Sequence, residues 1–540
     1  MQVRNIKGFT LLELIAVLVI MAGLAMIAIP IFINKGDETR SIANNMNKAI
    51  LQAQAESYIS EQGISGPRVD IIPDMIENGY VKELPENPYK GELYFDTKNY
   101  IVSVDSNGKV KVAISSGDNG VCNKPELTEG MTPIKWVTGV TTTTTEVDGA
   151  WYNYEEDLDD GLYATNERWA NVQMKDGSMF VWIPRYTYKI DIINKIIDIK
   201  YTKGVADDTT GDYIIHPAFT FGGDELTGIW VAKFEASSVE DGVSGLNNGG
   251  GDVTTKTVAI RPDVHSWRSI EAEKVFDVCR TMETNEGIYG WKQKLIDTHM
   301  MKNSEWGAVV YLTEAIRDGN EIWINPDNTY VTGRGGTGVT TGDLAHASTT
   351  DWLSTNGQKT STTGNEYGVY DLIGGVWEYT AAYIPNGYRY LDLYGRKLLD
   401  AESKYVKIYT AHTDDIDTDN DYSVNANPNW VNKDNAQMIS NKNFMMWQNI
   451  KGDGIFEVLY KTDTNSVAGW DSAEVAWNGN QTSDWYNDYT LGGWYYYPFF
   501  QRGGDYIDGS NAGIFAISCF LGTPLNYVGF RPMCLVSIID

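Results

Sequence analysis

What most limits this chain is an apolar run near its start, from Phe9 to Ile33, interrupted only by Thr10 and Glu13. At about 1.5 Å per helical residue the run is long enough to cross a hydrocarbon core of about 30 Å with some tilt. Arg4 and Lys7 precede it as in a secretory signal, yet no small-residue cleavage site follows. The run closes with Pro30, Ile31, Phe32 and Ile33, and its pattern continues as helix. Its single carboxylate, Glu13, costs roughly 2.5–3.5 kcal/mol near the middle of a bilayer. A chain keeps such a group for a partner of opposite charge.

The segment Lys7-Gly8-Phe9-Thr10-Leu11-Leu12-Glu13-Leu14 resembles the type IV prepilin cleavage motif. The resemblance implies cutting between Gly8 and Phe9 by a prepilin peptidase and methylation of the new amine. It further implies that the Glu13 carboxylate pairs with the cationic N-terminus of a neighbouring subunit. The partners would be other pilin subunits and the pilus assembly machinery. The protein would sit in the cytoplasmic membrane through its N-terminal helix before assembly, and on the cell surface afterwards. Pro30 stands where pilin helices kink. Beyond the membrane, Ile42, Met46 and Ile50 form an apolar stripe, and Gly63 suits a helix stop. Short alternating runs near 93–94, 100–104 and 110–113 read as a small sheet packed on that helix. The expected order is a leader over 1–8, helix over 9–63 and a small β-region over 64–118. A linker or lead-in over 119–150 holds a threonine run at 141–145, and a large module follows over 151–540.

A chain of 540 residues exceeds one ordinary core, so two or more domains are expected. The formal net charge of −29 opposes a nucleic-acid partner. Cys122, Cys279, Cys519 and Cys534 are too few for a disulfide scaffold and leave one, two or no bridges open. In the large module, 179–188, 228–235 and 528–531 read as aromatic-rich strands. Residues 267–280 and 302–312 read as helices, the second capped by Asn303 or Ser304. Short strands, few helices and long loops make the fold class α+β.

Three blocks carry a second resemblance: Met301-Lys-Asn-Ser-Glu-Trp-Gly-Ala308, Tyr367-Gly-Val-Tyr-Asp-Leu-Ile-Gly-Gly-Val-Trp-Glu-Tyr379, and Arg502-Gly-Gly504 followed by Val528-Gly-Phe-Arg531. In this order they are similar to the formylglycine-generating enzyme (sulfatase-modifying factor) family. That resemblance covers about 180–540 and implies a variant of the C-type lectin fold. The family oxidises a cysteine with copper held by two thiols just before its terminal Gly-Phe-Arg. Here that stretch holds only Cys519, and Cys534 comes after it. A soft ion needs its two soft ligands, so no enzyme is expected. His216, His265, His299, His346 and His412 stand singly, without metal-ligand spacing. There is neither a Gly-x-Ser-x-Gly elbow nor a His-Glu-x-x-His pair. No cofactor is expected beyond a structural calcium, for which Asp415, Asp417 and Asp419 offer alternating oxygens. That loop lacks the glycine and distal glutamate of an EF-hand, and on that missing-ligand count a solvated acidic loop is the preferred reading over calcium.

The tail from Arg502 to Arg531 resembles the variable ends of retroelement-diversified proteins, which also use the C-type lectin fold. Asp505, Tyr506, Ile507, Asp508, Ile517, Ser518, Cys519, Phe520, Leu521, Leu525, Asn526 and Tyr527 all fall in the set reachable from a mutated asparagine-type codon. Ordinary loop composition gives the same residues. Trp485, Tyr486 and Trp494 add rigid contact area with polar edges, so these residues with the tail are expected to meet a protein or glycan ligand. The sequence thus describes a minor or tip type IV pilin with an adhesin-like head. Alternatives are a surface formylglycine-generating-type oxidase and a pseudopilin of a secretion or DNA-uptake system. N-terminal sequencing of the protein from its own membrane is expected to begin at methylated Phe9; a chain beginning at Met1 would contradict the processing.

Overall fold

The computed structural model describes residues 37–64, 71–86, 99–104, 110–115 and most of 122–536, the longer stretches outside it being 1–36, 87–98, 155–167, 336–350, 412–436, 440–449 and 458–485. Gly8, Phe9, Glu13, the run over 9–33, Asp415, Asp417, Asp419, Trp485 and Trp494 lie outside the described residues. No helix among the described residues is long and apolar enough to cross a membrane. The chain divides into two compact units, 1–119 with 203–207 and 537–540, and 120–202 with 208–536.

In the first unit α1 (Asp37–Gln62) contains neither Gly nor Pro and ends where Gly63 turns left-handed at φ 63°. After it come α2 (Ile72–Glu77) and a hairpin of β1 (Asn99–Val104) and β2 (Val110–Ser115). Tyr100, Val102 and Val104, at period two, face Leu51, Ala55, Tyr58 and Ile59 of α1 in one core. The apolar stripe differs from the expected one. Met46 is 48% exposed, while Ala43, Asn47 and Leu51 are buried. The helix is turned by one residue because Asn47 reaches inward, its Nδ2 donating to Tyr100 Oη at 3.1 Å and to the Glu86 carbonyl at 3.2 Å.

The second unit already includes the lead-in region: β3 (Thr132–Val137) and β4 (Val140–Thr143), which holds part of the threonine run, belong to its largest sheet. Next come β5 (Asn171–Gln173), β6 (Met179–Pro184), β7 (Tyr186–Asp191), β8 (Ile196–Tyr201) and β9 (Ile214–Ile215). They are followed by β10 (Gly228–Ala232), α3 (Ala272–Thr281), β11 (Ile296–Met300) and α4 (Asn303–Arg317). The later strands are β12 (Trp377–Tyr383), β13 (Lys407–Ala411), β14 (Gln437–Ile439), β15 (Phe499–Gly503), β16 (Gly513–Phe520), β17 (Val528–Phe530) and β18 (Pro532–Val536). Seven strands run in the order β11–β18–β10–β6–β5–β3–β4. A second sheet runs β14–β13–β12–β15–β16 with β17 also on β12, and a third runs β8–β7–β9. The fold is mixed α and β with several antiparallel sheets.

Two sequence expectations shift for one physical reason: distant segments claim the local groups. The helix expected from Trp267 starts only at Ala272, because Trp267 N donates to the Ala236 carbonyl and Ser269 N to that of Leu525. Asn303 does not cap α4. Its Nδ2 donates to Tyr409 Oη at 2.9 Å and its Oδ1 accepts from Thr380 Oγ1 at 2.8 Å, while Glu305 accepts from Lys302 N at 2.8 Å at the helix start. All four cysteines are buried, and Cys279, Cys519 and Cys534 are free thiols.

The three blocks at 301–308, 367–379 and 502–504 with 528–531 interlock in the interior. Arg531, between β17 and β18, is fully buried; its Nε and Nη2 donate to the Glu378 carboxylate at 3.1 and 2.6 Å, and its Nη1 to the Ala232 carbonyl at 2.8 Å. The Arg502 guanidinium lies 5.3 Å from the Trp306 ring and donates to the carbonyls of Asp453 and Gly454 at 2.9 and 3.0 Å. Trp306 Nε1 donates to the Ile514 carbonyl at 2.8 Å. Gly375, at φ 62°, sits where a Cβ would come within 2.4 Å of Glu235 Oε1, the oxygen that accepts from Val376 N at 2.9 Å. Gly375→Ala is expected to lower stability by about 1–2 kcal/mol from the left-handed backbone alone, with the clash adding to it; an unchanged denaturant midpoint would refute this packing.

Candidate ligand-binding face

Two tail loops hang from adjacent points of that framework. Tyr506 N donates to the Gly375 carbonyl at 3.2 Å, and Trp377 N to the Tyr527 carbonyl at 2.9 Å. Gly503 and Gly504, both left-handed, turn the chain out of β15 into the first loop. There Asp505 N donates to Asp508 Oδ2 at 2.8 Å, Ile507 N to Asp505 Oδ1 at 2.9 Å, and Asp508 N to the Asp505 carbonyl at 3.2 Å. A loop so bonded is held in shape by its own amides and carboxylates. It presents Ile507 with 59% of its surface in solvent.

The carboxylates of this loop point inward onto its own amides. Burial first, and then the Asp508 carboxylate, push Asp505 up to about 7. Like charges this close do not both ionise readily, so the pair holds a proton between them near neutrality. Burial, followed by the Asp505 and Asp508 carboxylates, also raises the Tyr527 phenol, which puts 525–527 within electrostatic reach of 505–508.

Two further residues complete the face. Tyr330, at φ 59°, packs edge-on to Tyr506 with ring centroids 5.1 Å apart, and the Arg268 guanidinium stacks 3.6 Å from the Tyr330 ring centre. Arg268 Nη1 donates to the Asn526 carbonyl at 2.9 Å, joining the second loop to the same group. Neither residue was singled out from sequence. They lie more than a hundred residues from the tail and in no motif.

The expected contact residues divide. Ile507 and Asn526 are exposed, and Tyr506, Asp508, Leu525 and Tyr527 are half-buried around them. Ser518 and Phe520 alternate outward on the edge strand β16, Phe520 stacking on Tyr497 at 5.8 Å, and Leu521 follows half-buried. Ile517 is a correction: it is fully buried in a core with Phe500, Tyr409 and Cys519, so it cannot touch a ligand. Asp505 is buried as well and serves the loop rather than its surface. Tyr486 donates to Glu314 Oε2 at 2.7 Å and stacks on Phe515.

The groups that could do chemistry are placed as follows. Burial pushes the Cys519 thiol well above its ordinary range. His216 is buried and held neutral by burial, its Nδ1 accepting from Ala218 N at 3.2 Å. Burial disfavours a charged His299, but the Glu305 carboxylate at 3.0 Å and Asp297 at 2.9 Å outweigh it and raise the imidazole. Among the described residues no group of three His, Cys, Asp or Glu side chains is placed to hold a metal ion.

No protein-family model matches the chain. Over 137 residues it is 26% identical to the type II secretion system core protein G of Klebsiella michiganensis, a match covering 22% of this chain and 89% of that protein. The similarity is consistent with a pilin-like N-terminal region.

The shared proton at the tail loop sets a pH dependence. A carboxyl raised in the folded state stabilises fully below its ordinary value of about 4 and loses that contribution as the pH climbs through the folded value. For Asp505 the window closes at about 7. Melting temperatures at pH 5 and pH 8 should therefore converge between wild type and Asp508→Asn only at the acid end, wild type losing more on the way up. Parallel curves would show that the pair holds no shared proton.

Proposed function

We propose that this chain is a pilin-like subunit that assembles through its N-terminal helix and displays a C-type lectin-like, ligand-binding head at the cell surface. The resemblance around Gly8, Phe9 and Glu13, and the partial similarity to a type II secretion system core protein, support assembly with related subunits after peptidase processing. One observation carries the head reading: two tail loops gather around Tyr330 and Arg268, residues far upstream in sequence, with Tyr506, Ile507, Asn526 and Tyr527 turned to solvent or half exposed. The blocks that resemble the enzyme family serve in this reading as scaffold, and the head works without catalysis. A structural calcium at Asp415, Asp417 and Asp419 belongs to the same proposal. The secretion-system relative favours a second reading, a pseudopilin whose head docks onto partner subunits.

Protein and glycan arrays probed with the full-length chain in detergent should find a ligand. Ile507→Asp and Tyr527→Ala should each weaken its binding by about tenfold or more with little change in unfolding. Binding untouched by both substitutions would move the ligand off this face. Capture of secretion subunits alone would favour the pseudopilin reading.

A further inference from the structure

Lys233 and Asn171 meet in a dry part of the seven-stranded sheet. Lys233 directly follows β10 and Asn171 opens β5, with β6 between the two strands, and both residues are fully buried. The Lys233 Nζ lies 2.9 Å from Asn171 Oδ1, 2.6 Å from the Glu366 carbonyl oxygen and 2.8 Å from that of Gly368. Aromatic rings close around it, with centroids at 4.9 Å for Trp136, 5.2 Å for Tyr370, and 5.9 Å for Phe234 and Trp352. The Asn171 amide is fixed from its other end, where Nδ2 donates to the Trp169 and Tyr367 carbonyls, each at 2.8 Å.

This setting changes what the amine can do. Burial drives the Lys233 ammonium well below the ordinary lysine range, with Glu366 the charged group acting against that fall. An amine that has lost one proton keeps two N–H bonds and gains a lone pair. The peptide carbonyls of Glu366 and Gly368 take two N–H bonds; the third, given to Asn171 Oδ1, is the one whose loss frees a lone pair beside that carboxamide. Two reacting groups held in contact, away from water, have a very high effective concentration.

We propose that Lys233 and Asn171 join in an intramolecular amide bond. The Lys233 nitrogen attacks Cγ of Asn171, and a new C–N bond forms as the Cγ–Nδ2 bond breaks. One proton of the attacking nitrogen passes to Nδ2, which departs as ammonia, and the other stays on the new amide. Nothing is oxidised or reduced, and no outside reactant enters. The bond staples β5 to the end of β10 across β6 and joins residues 62 apart in sequence. It constrains the unfolded chain as a disulfide would.

Mass spectrometry of the full-length protein, digested under denaturing conditions, tests this directly. The expected result is an intact mass lower by one ammonia and a linked species joining the Asn171 and Lys233 peptides. Lys233→Met and Asn171→Ala should each return the unlinked mass and a lower denaturant midpoint. Should these variants fail to fold, the wild-type peptide map still decides. Recovery of both peptides unlinked from folded wild type would overturn the proposal and leave Lys233 a buried ammonium with three acceptors.

Discussion

The second unit is organised around one buried charge pair. At Arg531 the chain leaves β17, paired to β12 in one sheet, and enters β18, paired to β10 and β11 in the other. Its guanidinium bonds Glu378 on the first side and the Ala232 carbonyl on the second. Buried charges are expensive to desolvate, and losing one partner of such a pair typically costs about 3–5 kcal/mol. A hydrophobic pair could hold two sheets together as firmly. What the guanidinium adds is direction: its donors face peptide carbonyls of separate segments, so the crossing is fixed in register as well as in distance.

The same framework explains how a rigid interior carries an exposed tail. Glu378 pairs in register with Arg502 on one side and with Gly529 on the other, which puts the start of one tail loop and the end of the second beside a single strand. Glycines at 374, 375, 503 and 504 let the backbones approach where a side chain would collide. The charged groups of the tail are used internally, on loop amides and carbonyls, and the apolar Ile507 is among its exposed side chains. Stability thereby rests on residues other than those the tail exposes, which permits the surface to vary without loosening the core.

Much of this was legible in the sequence, and unevenly. The strands over 179–188, 228–235 and 528–531 were visible because buried aromatic and β-branched runs have few other solutions. The alternation Ile517-Ser518-Cys519-Phe520 also stood in the sequence. Reading it at period two would have sent Ile517 and Cys519 inward, where composition alone grouped them with the surface. Asn47 was hidden because polar residues are read as solvent-facing, while this one has a tyrosine hydroxyl to meet. Arg268, Tyr330 and the Lys233–Asn171 contact were not legible at all. Each depends on segments that only the folded topology brings together, and no local pattern encodes the partner.

If the Arg531–Glu378 pair is the tie between the two sheets, a double-mutant cycle measures it. Arg531→Met and Glu378→Leu, made singly and together, would be unfolded in denaturant. The account predicts that the double variant loses clearly less stability than the two single losses added, with a coupling of about 2–3 kcal/mol, because neither charge is then left buried alone. Additive losses would contradict it and show that the sheets are held together by packing rather than by this pair.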